Sequence, residues 1–74
     1  MNWVNAKTKK PMHGDIVIVA MWRPEEDDYT HFIAVWDIHQ KIWLEHGLGE
    51  DLEKNCGYDI LWWADIEEPE YPDI

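Results

Sequence analysis

The run Asp-Ile-Val-Ile-Val-Ala-Met-Trp at residues 15–22 constrains the fold of this chain more than any other stretch. It contains neither glycine nor proline, and its β-branched side chains pack well on a pleated sheet but are stiff in a helix, so it predicts a β-strand. Ile16 and Ile18 would point to one face of that strand, and Val17 and Val19 to the other. Because both faces are apolar, we expect a central strand with neighbours on each side and cover above and below.

Three further segments, residues 30–37, 41–46 and 58–64, alternate in a way that predicts strands. Strands so close in sequence pair most readily as antiparallel hairpins. The sequence therefore predicts a mainly β fold, a twisted antiparallel sheet of about four strands, with little helix. In the last strand we expect a regular alternation, which places Tyr58, Ile60 and Trp62 opposite Leu61 and Trp63.

The 74 residues have room for one small domain, residues 1–74. We expect residues 1–14 to form an irregular arm, residues 15–64 the sheet core, and residues 65–74 an extended acidic tail. Trp3 is predicted to pack against the sheet and anchor the arm. Residues 50–55 are predicted to form one helical turn, which Gly57 caps.

Cysteine content and hydropathy bear on the compartment. Cys56 is the only cysteine, which excludes an intrachain disulfide and is typical of a reducing compartment. No apolar run approaches the roughly 20 residues of a membrane-spanning helix, and the first residues lack the apolar segment of a signal peptide. We therefore expect a cytoplasmic protein of a bacterial cell, without membrane contact.

The charge is strongly negative and unevenly distributed. Sixteen acidic residues against six basic ones give a net charge of −10. Residues 1–24 carry four basic side chains and one acidic one, whereas residues 25–74 carry two basic and fifteen acidic ones. Direct binding to nucleic acid is disfavoured, since that affinity comes from Lys and Arg on phosphates. The same field would speed encounter with a basic protein surface, although acidity that serves solubility alone is the simpler alternative.

Several short motifs follow one another along the chain in a recognisable order. Trp3-Val4, Pro11 and Gly14 precede the strand Ile16-Val17-Ile18-Val19, the segment Phe32-Ile33-Ala34-Val35-Trp36-Asp37 lies in the middle, and Ile60-Leu61-Trp62-Trp63 and Pro69-Glu70-Tyr71-Pro72 lie near the end. This pattern resembles a short phage- and prophage-associated domain family of unknown function. Lys10, and the pair Leu61-Trp62, depart from the family's usual Leu and Thr-His. The resemblance implies a phage or prophage origin and supplies no catalytic residue.

Two sets of side chains offer catalytic alternatives. His39, Glu45 and His46, together with His13 or His31, would supply the ligands of a zinc-dependent hydrolase. Their spacing fits no recognised ligand pattern, and surface histidines explain them more simply.

The second set is Cys56 with His46, which would suggest a thiol nucleophile. A nucleophile needs a base, an orienting group and an oxyanion site, all built within this short chain. We therefore expect no enzyme, no metal site and no cofactor.

The hypothesis that we favour is a protein-binding module. It would bind a basic host protein or a nucleic-acid-handling complex and inhibit it, through a negative surface that mimics DNA. Loops and tails are where binding residues concentrate, so the acids of residues 25–28 and 65–70 are the expected contacts. These contacts are Glu25, Glu26, Asp27, Asp28, Asp65, Glu67, Glu68 and Glu70.

The main alternative is a carbohydrate- or small-ligand-binding module that uses an exposed tryptophan. Trp62 and Trp63 are consecutive, so in a strand they face opposite sides and cannot both enter a single core. We expect one of these two, or Trp43, to lie partly exposed, with Trp43 or Trp63 as the ligand-binding ring, and an exposed ring would also suit a protein-binding hot spot.

Overall fold

The computed structural model describes residues 2–66, and Met1 and residues 67–74 lie outside the described part. The described chain forms β1 (Val4–Asn5), β2 (Ile16–Arg23), β3 (Asp28–Asp37), β4 (Ile42–Glu45), a short helix α1 (Leu52–Cys56) and β5 (Ile60–Asp65). The strands make one antiparallel sheet in the order β1-β5-β2-β3-β4. The predicted mainly β fold is confirmed, with β1 added from within the predicted arm. Most of the predicted acidic tail falls outside the described residues.

β2 lies at the centre of the sheet, as its apolar sequence predicts. It pairs with β3 on one side and with β5 on the other, so that Val19 stands opposite both Phe32 and Trp63. β2 and β3 form a long hairpin, whose turn includes Asp27 at a φ of 53°. Both strands that flank β2 are therefore fixed by backbone hydrogen bonds to it.

One face of the sheet carries the hydrophobic core. Val17, Val19 and Met21 of β2 are fully buried there. Helix α1 covers this face through Leu52, and the segment that follows β1 covers it through Ala6. The remaining buried members of the cluster are Ala34, Trp36, Trp43, Ile60 and Trp63.

The N-terminal segment is held on the core by hydrogen bonds as well as by packing. The Trp63 Nε1–H donates to the Lys9 carbonyl at 2.9 Å, and the Gly14 amide donates to the Trp36 carbonyl at 3.3 Å. Lys10 Nζ donates to the Ala6 carbonyl and lies 5.3 Å from the centroid of the Trp36 ring, within the range of a cation–π contact. The predicted irregular arm is therefore an ordered cover over one end of the core.

β5 contains a bulge that changes which side chains reach the core. Its pairing with β2 shifts between Ala20 and Met21, which leaves Leu61 as the extra residue. As a result Ile60 and Trp63 are both buried in the core, at 1% and 5% exposure. The predicted regular alternation along β5 is wrong at Ile60. The extra residue of the bulge shifts the alternation by one position, so that the Ile60 side chain lies on the same face as Trp63.

Helix α1 is short and is defined by its caps. The Asp51 side chain accepts a hydrogen bond from the Lys54 amide at 3.2 Å, and Gly57, at a φ of 78°, donates its amide to the Glu53 carbonyl at 2.8 Å. The Glu53 carboxylate also accepts the Ile60 amide at 2.9 Å, which ties the helix to the start of β5. The predicted helical turn with Gly57 as its cap is confirmed.

The turn between β3 and β4 is closed by the Asp37 carboxylate. It accepts the backbone amides of Gln40 at 3.1 Å and His39 at 2.9 Å, and the Gln40 side-chain amide at 3.0 Å. These bonds, the Gln40 amide first, lower the pKa of Asp37 below its ordinary value of 3.8. The ionised form of Asp37 is therefore favoured in the folded state.

We expect Asp37→Asn to lower the urea midpoint of unfolding at pH 7 and to have little effect at strongly acidic pH. A carboxylate with a lowered folded pKa stabilises the fold at pH values above its unfolded pKa, and this contribution is lost as the pH falls through the folded pKa. Urea titrations at a series of pH values measure the difference. Asp15→Asn, at an exposed carboxylate, is the control, and a pH-independent effect of Asp37→Asn would contradict the expectation.

Candidate functional site

The second face of the sheet is apolar, and the rest of residues 2–66 does not cover it. The pairing register places on this face, which we name the open face, residues Trp3, Asn5, Ile16, Ile18, Ala20, Trp22, Tyr29, His31, Ile33, Val35, Asp37, Ile42, Leu44, Trp62 and Ala64. Ile16 is 47% exposed and Ile33 is 40% exposed. The expectation that β2 has cover on both faces is therefore wrong for the described chain, because the helix and the arm both pack on the core face.

The open face contrasts with the charge of the whole chain. The chain carries a net charge of −10, yet Asp37, whose carboxylate closes the turn after β3, is the single Asp, Glu, Lys or Arg among these open-face positions. Soluble monomers rarely expose contiguous apolar patches larger than a few hundred Å², and larger ones mark interaction sites. The open face is therefore the first candidate for a binding surface.

A concave pocket lies in the open face. It has a volume of about 420 Å³ and is lined by Trp3, Ala20, Tyr29, His31 and Trp62, which together we name the aromatic pocket. Ala20 carries only a methyl group between the flanking residues His31 and Trp62, to which it is paired in the register. The small side chain at this central position leaves the space that the larger rings surround.

Contacts between neighbouring rings orient the walls of the aromatic pocket. The Trp62 Nε1–H donates to the Tyr29 hydroxyl at 3.2 Å. The Tyr29 ring also meets the Trp22 ring edge to face, with 5.0 Å between centroids, and the Trp3 ring lies 5.9 Å from the His31 ring. The rings therefore hold one another in place before any ligand is bound.

The position of Trp3 differs from the prediction. Its ring lies over the open face and is 41% exposed, so the prediction that Trp3 anchors the arm is wrong. Ala6, which follows β1, anchors this segment instead: it is 1% exposed and belongs to the core. Trp3 is instead a wall of the aromatic pocket.

The tryptophans expected to be exposed are buried. Trp43 is 2% exposed and packs edge to face on Trp36, and Trp63 is 5% exposed, so the prediction of an exposed ring at either position is wrong. Trp62, next to Trp63, is 36% exposed. The expectation that consecutive tryptophans face opposite sides, with one of them partly exposed, is confirmed, but the register with Val19 places Trp63 in the core and leaves Trp62 as the exposed ring.

The sequence prediction did not include the residues of the aromatic pocket among the binding residues. The usable signal was the alternation along β2, in which Ala20 is the one small residue between Ile18 and Trp22. Identifying its neighbours Tyr29, His31 and Trp62 also requires the pairing register, which the sequence alone does not define.

Residues 25–28, which we name the acidic turn, lie at one end of the sheet. Glu25, Glu26 and Asp27 connect β2 to β3, Asp28 begins β3, and all four are exposed. The Arg23 guanidinium lies 2.8 Å from the Asp28 carboxylate and 3.1 Å from that of Glu26. Its hydrogen bond to Asp28 raises the pKa of Arg23, and its charge offsets part of the negative charge of the turn.

The other predicted acidic contact within the described chain lies at the opposite end of β2. Asp65 pairs with Val17, whereas Asp28 of the acidic turn pairs with Arg23. Six residues of strand separate these two levels, which is about 20 Å at the usual rise per residue. The structure therefore does not bring Asp65 to the acidic turn. Glu67, Glu68 and Glu70 lie outside the described residues.

The residues considered for metal binding are dispersed. His39 lies in the turn after β3 and packs on His13 with 5.1 Å between ring centroids, whereas Glu45 and His46 lie at the end of β4. No group of three or more metal-ligating side chains comes together within residues 2–66.

The thiol considered as a nucleophile is partly buried. Cys56 ends helix α1 and packs against the core, while His46 is exposed and lies beyond β4 beside the open face. Burial, and to a smaller extent the Glu45 carboxylate, raises the pKa of the Cys56 thiol. The thiol therefore stays protonated at neutral pH, which is the opposite of what activates a cysteine nucleophile.

Comparison of the chain with protein-family models, with curated proteins and with solved structures finds no match. The resemblance to a phage-associated family therefore stays a prediction. Within the described residues, no helix has the length and apolar character required to cross a membrane.

Proposed function

We propose that this chain is a non-enzymatic protein-binding module whose open face binds an apolar patch on a basic partner protein. The observation that carries the proposal is an aromatic-rich sheet face with a single charged residue, Asp37 at its edge, on a chain of net charge −10. Aromatic residues are enriched in the central, desolvated part of protein interfaces, and charged residues are depleted there. The open face has this composition.

The charge of the chain selects the kind of partner. A net charge of −10 attracts a positively charged surface over several Å and repels phosphate backbones and other acidic proteins. The acidic turn, at one end of the open face, is the described segment best placed to meet basic residues around the partner's apolar patch. In this arrangement the acids steer the encounter and the open face supplies most of the affinity.

The finer form of the proposal is a phage-type protein that inhibits a basic, nucleic-acid-handling complex in the bacterial cytoplasm. It is supported by the net charge and by the family resemblance. A DNA-mimicking surface would require many carboxylates on one side, and Asp65 and the acidic turn lie at opposite ends of β2. We therefore assign the main contact to the open face rather than to a continuous row of acids.

A second candidate is a carbohydrate- or small-ligand-binding module. The aromatic pocket favours it, since exposed tryptophan rings stack on sugar rings. It would use Trp3 and Trp62, the exposed rings of the pocket, in place of the buried Trp43 and Trp63.

The test begins with affinity capture from bacterial lysate, followed by purification of the captured protein and titration against the purified chain. We expect Ile33→Glu, which places a charge on the open face, to weaken binding at least about 100-fold, as for the central residues of other interfaces. Salt is expected to slow association, because screening weakens the attraction between the acidic chain and the basic partner.

Ile38→Glu is the matched control. Ile38 is an exposed isoleucine like Ile33, at 54% against 40% exposure, but it lies in the turn between β3 and β4. It should leave the affinity almost unchanged. The assignment of the open face would be overturned if Ile33→Glu and Ile38→Glu weakened partner binding equally, or if neither variant changed the affinity.

A further inference from the structure

The aromatic pocket carries a more specific inference, which rests on the proposed function. Its walls are the indoles of Trp3 and Trp62, the phenol of Tyr29 and the imidazole of His31, placed around the methyl group of Ala20. The faces of indole and phenol rings carry partial negative charge and attract a cation held within about 6 Å of their centroids. Several rings around one cavity therefore favour a positively charged occupant over a neutral one.

The surroundings of the pocket favour a cation as well. None of the five lining residues is a lysine or an arginine, and the chain as a whole is strongly negative. Tyr29 directly follows Asp28, so the pocket wall formed by Tyr29 lies at the same end of the sheet as the acidic turn, while the Asp28 side chain points to the other face and binds Arg23. The net charge of −10 favours the approach of a cation, and no lining Lys or Arg competes for the rings.

The lining chemistry distinguishes between the two cationic side chains of proteins. The pocket is mainly apolar, and a lysine ammonium, a compact and strongly hydrated charge, loses more of its hydration free energy than a guanidinium when it contacts the face of a ring. A guanidinium is planar and weakly hydrated, and it stacks on aromatic faces. Because the pocket is open to solvent, the edge of a stacked guanidinium keeps its N–H donors in water.

We propose that the aromatic pocket binds an arginine side chain of the basic partner. A volume of about 420 Å³ leaves room for a guanidinium and its aliphatic stem. The hydrogen bond from Trp62 to Tyr29 and the edge contact of Trp22 on Tyr29 hold the rings ready, so that little side-chain ordering is required on binding.

The test uses the full chain, labelled with ¹⁵N, and two short peptides, acetyl-Gly-Arg-Gly-amide and the same peptide with citrulline. Citrulline has nearly the shape of arginine but no charge. We expect the arginine peptide to shift the indole N–H signals of Trp3 and Trp62 and to bind at least about five-fold more tightly than the citrulline peptide.

Variants of Trp3 link this preference to the pocket. Trp3 is 41% exposed, so its replacement is expected to leave the fold intact, which the remaining amide signals verify. Trp3→Leu, which keeps an apolar side chain without a ring, should remove most of the preference for arginine. Trp3→Phe, which keeps a ring, should retain much of it.

Three outcomes would overturn the inference. Equal affinity for the two peptides would make the pocket a purely apolar site. Shifts of the same indole signals by methyl β-glucoside, with none from the arginine peptide, would make it a sugar site. Broadening of those signals with chain concentration, in the absence of peptide, would make the open face a contact between two copies of the chain.

The inference and the proposed function can fail separately. If arginine and citrulline peptides bind alike while Ile33→Glu still abolishes partner binding, the pocket inference is wrong and the protein-binding function stands. If the arginine preference is found while Ile33→Glu leaves partner binding unchanged, the pocket binds arginine and the assignment of the whole open face is wrong.

Discussion

Trp63→Ala is expected to destabilise the fold by about 3–5 kcal/mol, the usual range for removing a large aromatic side chain from a core. Trp63 is 5% exposed and stands opposite both Val4 of β1 and Val19 of β2. Its removal also leaves the Lys9 carbonyl without the indole N–H that it accepts at 2.9 Å. A core of this size supplies only a few kcal/mol of net stability, so most of the variant should be unfolded at 25 °C.

The next residue provides the matched control. Trp62 is 36% exposed on the open face, and within residues 2–66 its Nε1–H donates to the Tyr29 hydroxyl. Trp62→Ala should therefore lower the free energy of unfolding by only about 1 kcal/mol. Far-UV circular dichroism and urea titration of both variants measure the contrast. Similar losses would mean that the open face is packed in solution, against the tail or a second molecule.

The fold was predictable from the sequence where local chemistry decides it. β2 shows this best, because Ile16–Arg23 has no residue that a strand excludes and its long apolar run is typical of a central strand. The caps of α1 were equally local: Gly57 supplies the left-handed conformation that ends the helix. Such features depend on a few adjacent residues and need no knowledge of the pairing.

The errors arose where the register decides the outcome. The bulge at Leu61 reverses the expected facing of Ile60, and only the pairing of β5 with β2 reveals it. Cover is likewise a property of the whole chain. The alternation of β2 shows two apolar faces, but it does not predict which face is covered. The helix and the arm both pack on the side of Val17 and Val19.

The candidate site was the least predictable part. Its residues come from β2, β3, β5 and the residue before β1, and each of them has an ordinary structural explanation when read alone. A tryptophan in a strand is more often part of a core than of a binding site. Only the placement of Trp3, Tyr29 and Trp62 around Ala20 distinguishes a pocket from scattered aromatic residues.

The second large effect is expected at Leu52, in the helix that covers the core. Leu52 is 1% exposed and is the buried residue of α1. Leu52→Ala should destabilise the fold by about 2–5 kcal/mol, because it removes a fully buried side chain and leaves a cavity beneath the helix. The loss should lie towards the upper part of this range if α1 cannot move closer to Trp43 and Met21. Urea unfolding followed by tryptophan fluorescence measures it.

Leu48 provides the same substitution at an exposed site in the same connection. It is 65% exposed in the loop that leads to α1, so Leu48→Ala should change the free energy of unfolding by no more than about 0.5 kcal/mol. The comparison separates the burial of Leu52 from any general effect of shortening a leucine in this segment. A small effect of both variants would show that α1 does not cover the core in solution. In that case the face of Val17 and Val19, rather than the open face, would be the larger apolar surface available to a partner.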